Sequence, residues 1–178
     1  LLKILRFIAP YLAFGVFLVV NAIANHDLTP FYIYGLVIFV LIAADMASKG
    51  NPARMLLIFS SLGILATAVG MVTTGMISVY AFTSVGLFCS TLWPCIFTLA
   101  VSGLGKHTSQ GSSFLIMMIM GGGFVSVFQG WVAEIIGIQS SYIVGIICFA
   151  YLVFYAWKVS RILKAHGIDF DQKVSGGH

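Results

Sequence analysis

Charged residues are scarce in this sequence of 178 amino acids. Lysine and arginine number nine, aspartate and glutamate five, and together they make up 8% of the chain, against about 25% in a typical soluble domain. Hydrophobic residues account for 60%. So few charges cannot cover the surface of a soluble domain, which excludes an ordinary soluble enzyme, a nucleic-acid-binding protein and a disordered chain. The sequence therefore predicts a protein whose solvent is a lipid bilayer.

Cysteines and catalytic motifs are equally sparse. The three cysteines lie in apolar runs and lack the spacing of a disulfide framework or a metal site. The sequence GLGKHTS around Lys106 lacks the first glycine of a phosphate-binding loop and has His107 where that loop has serine or threonine. The triple glycine at 121–123 follows no predicted strand, so it is not a dinucleotide-binding motif. We expect no enzymatic activity, no catalytic residue, no cofactor and no metal.

Six hydrophobic segments approach the length of about 20 residues that a helix needs to cross a bilayer. They cover approximately residues 7–24, 30–46, 55–74, 77–101, 112–138 and 142–157. The first two are short, and Pro10 is predicted to lie in the first turn of its helix. We predict an all-α polytopic membrane protein with a bundle of six transmembrane helices in residues 1–165. A polar cytoplasmic tail at 166–178 is expected to be disordered.

The basic residues give an independent test of the count of six. With six crossings, all nine fall before the first segment, after the last, or in every second loop between them. Miscounting by one helix would scatter them to both sides of the membrane. Because cytoplasmic loops carry the excess of lysine and arginine, we expect this side, with both ends of the chain, to be the cytoplasm.

Segment five carries small residues at helical spacing. Gly122, Ser126 and Gly130 are four residues apart, a row that lets a neighbouring helix approach closely. The run Gly121 to Gly123 weakens the helix by roughly 1 kcal/mol per glycine relative to alanine. These residues therefore predict either a tight helix crossing or a bend that moves during a transport cycle.

Segment four combines aromatic and small residues in one stripe at helical spacing, formed by Phe82, Gly86, Cys89, Ser90, Trp93, Phe97 and Ala100. Ser90, Trp93 and Phe97 lie on it, and Pro94 interrupts the helix because it cannot donate to the carbonyl of Ser90. Irregular backbone at membrane depth is tolerated where it is buried in protein or lines a wet cavity. The stripe is therefore either a binding face, with the Trp93 indole stacked on a sugar or a drug-like ligand, or an aromatic core at a proline kink.

Three polar groups lie inside the apolar segments. Gln129 lies on the Ser126 face and is suited either to bind a hydroxylated ligand or to bridge two helices. Glu134 lies near the outer end of segment five, where a surface carboxylate is favoured over a proton carrier. Asp45 lies close to the cytoplasmic end of segment two, where it is within reach of Lys49.

The stretch from Gly86 to Trp157 resembles the last three helices of the fucose/glucose/galactose–proton symporter family, in the major facilitator superfamily. Three motifs carry the resemblance, in matching order and spacing: W-P-x-I-F at 93–97, S-G-L-G-K-H-T-S-Q-G-S at 102–112, and the triple glycine followed by F-Q-G at 128–130. The first two segments would be the family's helices seven and eight, or an extra hairpin if the opening LLKILRFIAP corresponds to the loop that it resembles, after the family's eighth helix. The charge pattern fits both alignments.

The resemblance implies that this chain is the C-terminal bundle of a longer transporter. The family's tenth helix lines the central cavity, which places the stripe of Trp93 beside the substrate. Ser90, Gln129 and Phe97 would add contacts, while Pro94 and the triple glycine would allow the helices to bend. The loop with Lys106 would be a cytoplasmic element for orientation or gating. The family's proton-carrying acidic residues belong to the N-terminal half, so none is assigned here.

The sequence thus predicts secondary active transport of a hexose or deoxyhexose across the bacterial inner membrane by proton symport. The expected partners are the sugar, the proton, the lipid bilayer and the N-terminal half of the same transporter, without nucleic acid. Two alternatives remain open at this point, a non-transporting membrane assembly subunit and an exporter of hydrophobic small molecules. Water accessibility along segment four distinguishes a binding cavity from a dry contact.

Overall fold

Helices account for nearly all of the structure, a computed structural model that describes residues 2–24, 32–168 and 170. The helices are α1 (Leu2–Ile23), α2 (Tyr32–Ser48), α3 (Pro52–Val72), α4 (Met76–Cys89), α5 (Leu92–Val101), α6 (Thr108–Met117), α7 (Gly121–Ile136), α8 (Ile138–Ser141) and α9 (Ile143–Ala165). Short 3₁₀ turns cover Gly105–His107 and Met118–Met120. The described residues contain no strand, which confirms the all-α prediction.

Among the described residues, four helical spans are long and apolar enough to cross a membrane: Pro52–Val72, Met76–Val101, Gly105–Ile136 and Ile138–Ala165. They correspond to predicted segments three to six. The apolar helical stretches in the first two segments, Pro10–Val20 and Ile33–Ser48, are shorter. The chain is therefore a multi-pass helical membrane protein, roughly consistent with the predicted six spans.

Two units divide the chain, residues 1–46 and 47–178. In the first unit, α1 begins at Leu2, so Pro10 lies inside the helix. The prediction that Pro10 occupies a first turn was wrong because the helix starts several residues earlier than its most hydrophobic stretch. A proline there removes the hydrogen bond to the carbonyl four residues before it. Of the tail predicted to be disordered, 169 and 171–178 lie outside the described residues.

Helix α3 is central to the second unit and packs against α4, α5 and α9. Its first turn is capped by Asn51, whose side-chain oxygen accepts hydrogen bonds from the backbone N–H groups of Ala53 (3.0 Å) and Arg54 (3.3 Å). Pro52 occupies the first helical position, where a missing N–H costs no intrahelical bond. Lys49 and Gly50 form the turn that precedes this cap.

Close packing between helices uses the glycines of α3. A Cβ added at Gly63 would lie 2.8 Å from Cε1 of Phe149 on α9, and one at Gly70 would lie 3.0 Å from Cζ of Phe82 on α4. Both glycines are buried, as is Thr67 between them. The small-residue crossing expected of membrane helices is therefore present, but on a helix that the sequence did not single out.

The predicted small-residue row on segment five lies in open space. A Cβ added at Gly122 or Gly130 would meet no atom within 4 Å. The Ser126 hydroxyl donates to the Gly122 carbonyl of its own helix, at 2.9 Å. Among the described residues the row therefore packs against no neighbouring helix, and its use as a crossing remains a prediction.

A side-chain amide joins the start of the last span to the end of α3. Nε2 of Gln139 donates to the backbone carbonyls of Gly70 (2.8 Å), Met71 (3.2 Å) and Thr73 (2.7 Å). The Gly70 carbonyl also accepts the Ser78 hydroxyl, at 2.7 Å. The last carbonyls of a helix have no partner within it, so Gln139 satisfies groups that a bilayer would otherwise leave unpaired.

Replacing Gln139 by leucine is expected to lower the free energy of unfolding by about 1–2 kcal/mol, because the Met71 and Thr73 carbonyls lose this donor and the Gly70 carbonyl keeps only Ser78. Gln139→Glu should cost more, since a carboxylate of the same size cannot donate and repels the carbonyls. Thermal unfolding of the purified complete protein measures both, with Ser140→Ala as the neighbouring exposed control. A Gln139→Glu variant as stable as the wild type would contradict this role.

Candidate functional site

The candidate site is the break between α4 and α5. Helix α4 ends at Cys89 and α5 restarts at Leu92, with Ser90 and Thr91 between them. The hydroxyls of these two residues donate hydrogen bonds to earlier backbone carbonyls, Ser90 to that of Leu87 (2.7 Å) and Thr91 to that of Phe88 (3.2 Å). Hydroxyls that bind carbonyls at helix ends replace missing backbone donors.

Pro94 explains where this break falls. It is the third residue of α5, so its missing N–H belongs to the first turn, which has no carbonyl to bind within its own helix. The sequence predicts a kink within one helix, with the Ser90 carbonyl losing its donor. The helix is interrupted at Ser90 and Thr91, whose backbone dihedrals both stay in the αR region, so the irregularity is a local one within the span Met76–Val101.

The two sides of this broken element differ in burial. Phe88, Leu92, Cys95 and Leu99 are buried, and the ring of Phe88 lies 6.3 Å from that of Phe59 on α3, between centroids. On the other side Ser90 and Pro94 are exposed, and Trp93 is 42% exposed. The broken backbone thus presents an indole and a hydroxyl on a face that the described residues leave open.

The predicted stripe is only partly open. Gly86, Cys89, Ser90 and Trp93 are exposed, whereas Phe82, Phe97 and Ala100 are half-buried. At one end the Phe82 ring packs against Tyr142 in a tilted arrangement, with centroids 4.3 Å apart, and covers Gly70. The open part of the stripe is therefore centred on Ser90 and Trp93, with Phe97 at its edge, and Phe82 belongs to the packing of the bundle.

No described hydrogen bond joins Gln129 to these residues. It is half-buried on α7, and within the described part of the chain its side chain forms no hydrogen bond. Helix α7 packs mainly against its sequence neighbours, α8 and the preceding 3₁₀ turn. The assignment of Gln129 to a substrate remains a prediction.

The triple glycine at 121–123 lies in the first turn of α7, directly after the 3₁₀ turn Met118–Met120. The weakening expected from these glycines therefore coincides with a real irregularity, although the non-α geometry falls on the three residues before them. A 3₁₀ stretch within a long helix often marks a hinge or a strained sequence. Helix bending at this point remains a prediction.

The loop between α5 and α6 has a fixed conformation. Gly103 and Gly105 have φ values of +86° and +52°, which favour glycine, and the Leu104 side chain covers Gly111 so closely that a Cβ there would overlap it. Lys106 is exposed in the 3₁₀ turn that follows. A Cβ added at Gly103 would lie 3.1 Å from Cδ1 of Ile168, so this loop contacts the chain after α9.

Helix α9 ends in a Schellman motif beside this loop. Gly167 has φ +75°, its N–H donates to the Lys164 carbonyl (3.1 Å), and the Ile168 N–H donates to the Leu163 carbonyl (2.9 Å). This pattern satisfies carbonyls that the helix end would leave unpaired. It also directs Ile168 back toward Gly103, which closes the end of the bundle.

The basic residues of the second unit share that end. The contacts of Gly63 with Phe149 and of Gly70 with Gln139 show that α3 and α9 run antiparallel, so α3 begins where α9 ends. The described basic residues at or near this end are Lys49, Arg54, Lys106, Lys158, Arg161 and Lys164. Glu134 lies near the opposite end of α7, exposed. The predicted grouping of charges is confirmed for this unit, while the side chains of Lys3, Arg6 and Lys173 lie outside the description.

Sequence comparison finds sugar transporters. The chain is 45% identical over 92 residues to the glucose/galactose transporter of Brucella abortus biovar 1 (strain 9-941), covering 52% of this chain and 22% of that protein. It is 30% identical over 112 residues to the L-fucose-proton symporter of Escherichia coli (strain K12), covering 62% and 26%. A Helicobacter pylori (strain J99) protein, provisionally named a glucose/galactose transporter, is 29% identical over 152 residues, covering 83% and 37%.

The chain thus spans between 22% and 37% of the length of these relatives. No protein-family profile matches it, and no solved structure matches it.

Proposed function

We propose that this chain, which belongs to the fucose/glucose/galactose symporter family, is the C-terminal helical part of a secondary transporter. It would carry a hexose or deoxyhexose across the bacterial inner membrane together with a proton. The basis is its similarity to proteins named for these sugars combined with a broken, partly open helix of the kind from which carriers build sites at the middle of the bilayer.

One observation carries the proposal within the structure. The exposed side of the α4–α5 break presents the Trp93 indole next to the Ser90 hydroxyl, while the opposite side is buried against α3. An indole offers a flat apolar surface to the C–H face of a sugar ring, and a hydroxyl can donate to or accept from the sugar's own hydroxyls. Phe97 and, from α7, Gln129 would complete the contacts.

The second half of the site would come from an N-terminal bundle of the same transporter. Alternating access would proceed as this bundle rocks against that one around a site near the membrane centre. The α4–α5 break at Pro94 and the start of α7 at Gly121–Gly123 supply two points where helices can bend. The shared basic end would face the cytoplasm, with Lys106 in its loop, because cytoplasmic loops carry the excess of lysine and arginine.

Uptake of labelled fucose, glucose and galactose by cells that express the complete transporter tests the proposal directly. We expect one or more of these sugars to accumulate, and accumulation to collapse when a protonophore removes the proton gradient. Cells with an empty vector provide the background, and immunodetection in the membrane fraction establishes that the protein is present.

The outcomes separate the components of the proposal. Uptake that survives the protonophore would contradict proton coupling and leave sugar transport in place. Absence of uptake of all three sugars, with the protein present in the membrane, would contradict the substrate class.

A further inference from the structure

We propose that the exposed face of α9 binds an anionic phospholipid, with the acyl chain along its apolar part and the headgroup on its basic end. The face consists of residues spaced alternately by four and three: Ile147, Tyr151, Phe154, Lys158 and Arg161. At 100° per residue these side chains fall within a sector of about 80°. All five are exposed, while buried residues of the same helix, such as Phe149 and Ala156, contact the bundle.

Aromatic contacts order the basic end of this face. The Arg161 guanidinium carbon lies 4.0 Å from the centroid of the Trp157 ring, and that ring lies 6.3 Å from the Phe154 ring. A guanidinium held over an indole keeps its N–H donors available around its edge, where they can form paired hydrogen bonds with a phosphate. Tryptophan itself favours the headgroup region of a bilayer.

The dimensions of the face match one leaflet. From Ile147 to Arg161 the helix rises about 21 Å at 1.5 Å per residue. A bilayer with its headgroup regions is about 40–45 Å thick, so one leaflet is about 20–22 Å. An apolar surface of about 10 Å from Ile147 to Phe154 thus leads into basic groups at the depth of the phosphates.

Charge favours an anionic occupant over a neutral lipid or an apolar helix. Within the part of the chain that the structure describes, no carboxylate pairs with Lys158 or Arg161. Glu134 belongs to the opposite end of the bundle. Basic residues near a membrane surface each contribute to the attraction of anionic lipids, and two on one face with an apolar surface beside them suit phosphatidylglycerol.

The test is a titration of the purified complete transporter in detergent with dioleoylphosphatidylglycerol, read out as the thermal unfolding midpoint. We expect this lipid to raise the midpoint and dioleoylphosphatidylcholine to raise it less. Lys158→Gln/Arg161→Gln should weaken the apparent affinity for phosphatidylglycerol by about 10- to 30-fold, because two attractive charges are lost. Lys49→Gln/Lys106→Gln removes the same charge from the same end and should retain the affinity.

Native mass spectrometry of the wild type provides a second measurement that needs no variant. Retention of phosphatidylglycerol in preference to phosphatidylcholine supports the site. Equal effects of the two lipids, equal losses in both double variants, or the same stabilisation by inorganic phosphate alone would each overturn it. A Lys158/Arg161 variant with a lower unfolding midpoint but unchanged lipid affinity would also overturn the proposal. In that case the rest of the transporter, and not a lipid, would cover this face. Neither readout involves a sugar, so failure here is separate from failure of the proposed transport.

Discussion

Replacing Trp93 by alanine is expected to abolish sugar uptake by the complete transporter while leaving its amount in the membrane unchanged. The indole is 42% exposed on the open side of the α4–α5 break, so its removal takes away the largest candidate surface for a sugar and little of the packing against α3. Trp93→Phe keeps a flat aromatic face and should retain part of the uptake. Initial rates of uptake at several sugar concentrations provide the measurement.

Trp131→Ala is the matched control, because Trp131 is also exposed and lies on α7, away from the break. Full uptake by Trp93→Ala would exclude the assigned role. Cysteines introduced one at a time at 90, 93 and 97 give independent evidence. Labelling by a water-soluble thiol reagent, with protection by sugar, is expected for a cavity, whereas unreactive positions would favour a dry helix contact.

Replacing Gly63 by leucine is expected to cause the largest loss of stability of any single change considered. A Cβ alone would lie 2.8 Å from the Phe149 ring, and overpacking of a close contact typically costs about 1–3 kcal/mol. Leucine adds three further carbons at a position with no space, so α3 and α9 must move apart. This separation should lower the unfolding midpoint and the amount of folded protein. Fluorescence-detected size exclusion after heating measures both.

Gly145→Leu is the control on α9, because a Cβ added at Gly145 would meet no atom within 4 Å. Phe149→Ala should partly restore Gly63→Leu, since it removes the ring that the new side chain meets. The double variant should then be more stable than the sum of the two single effects. A Gly63→Leu protein as stable as Gly145→Leu would contradict the close approach of α3 and α9.

Hydrophobic length and charge placement could be predicted from the sequence, because a bilayer imposes both on each segment separately. Four of the six segments proved long enough to span, and the described basic residues of the second unit share one end. The start of α1 was misplaced, since polar residues such as Lys3 and Arg6 can extend a helix beyond its apolar stretch.

Contacts between helices were predicted less well. The row on α7 and the glycines of α3 are both small residues at helical spacing, and only a neighbouring side chain decides which is used. Phe149 fills the space over Gly63, while nothing described lies over Gly122. The role of Gln139 was not predicted for the same reason. The sequence shows only an amide near the start of a helix, whereas the three carbonyls that it binds lie 66 to 69 positions earlier in the chain.

The candidate site at Ser90 and Trp93 could be predicted in part. Pro94 alone predicts a break, because the loss of its N–H is a local property, and the break is present. Which side of Trp93 stays open depends on where Phe88, Leu92 and Cys95 pack.

The pairing of α3 with α9 has a consequence for biosynthesis. Gly63 and Phe149 are 86 positions apart, the difference of their numbers, so at about 5–20 residues per second a ribosome needs roughly 4–17 s to make the second after the first. For that interval α3 lies in the membrane with Gly63 uncovered, together with the Ser60 hydroxyl, which has no hydrogen-bond partner among the described residues. The insertion machinery, the lipid or an assembly factor must shield this position until α9 enters the membrane and its Phe149 ring covers Gly63.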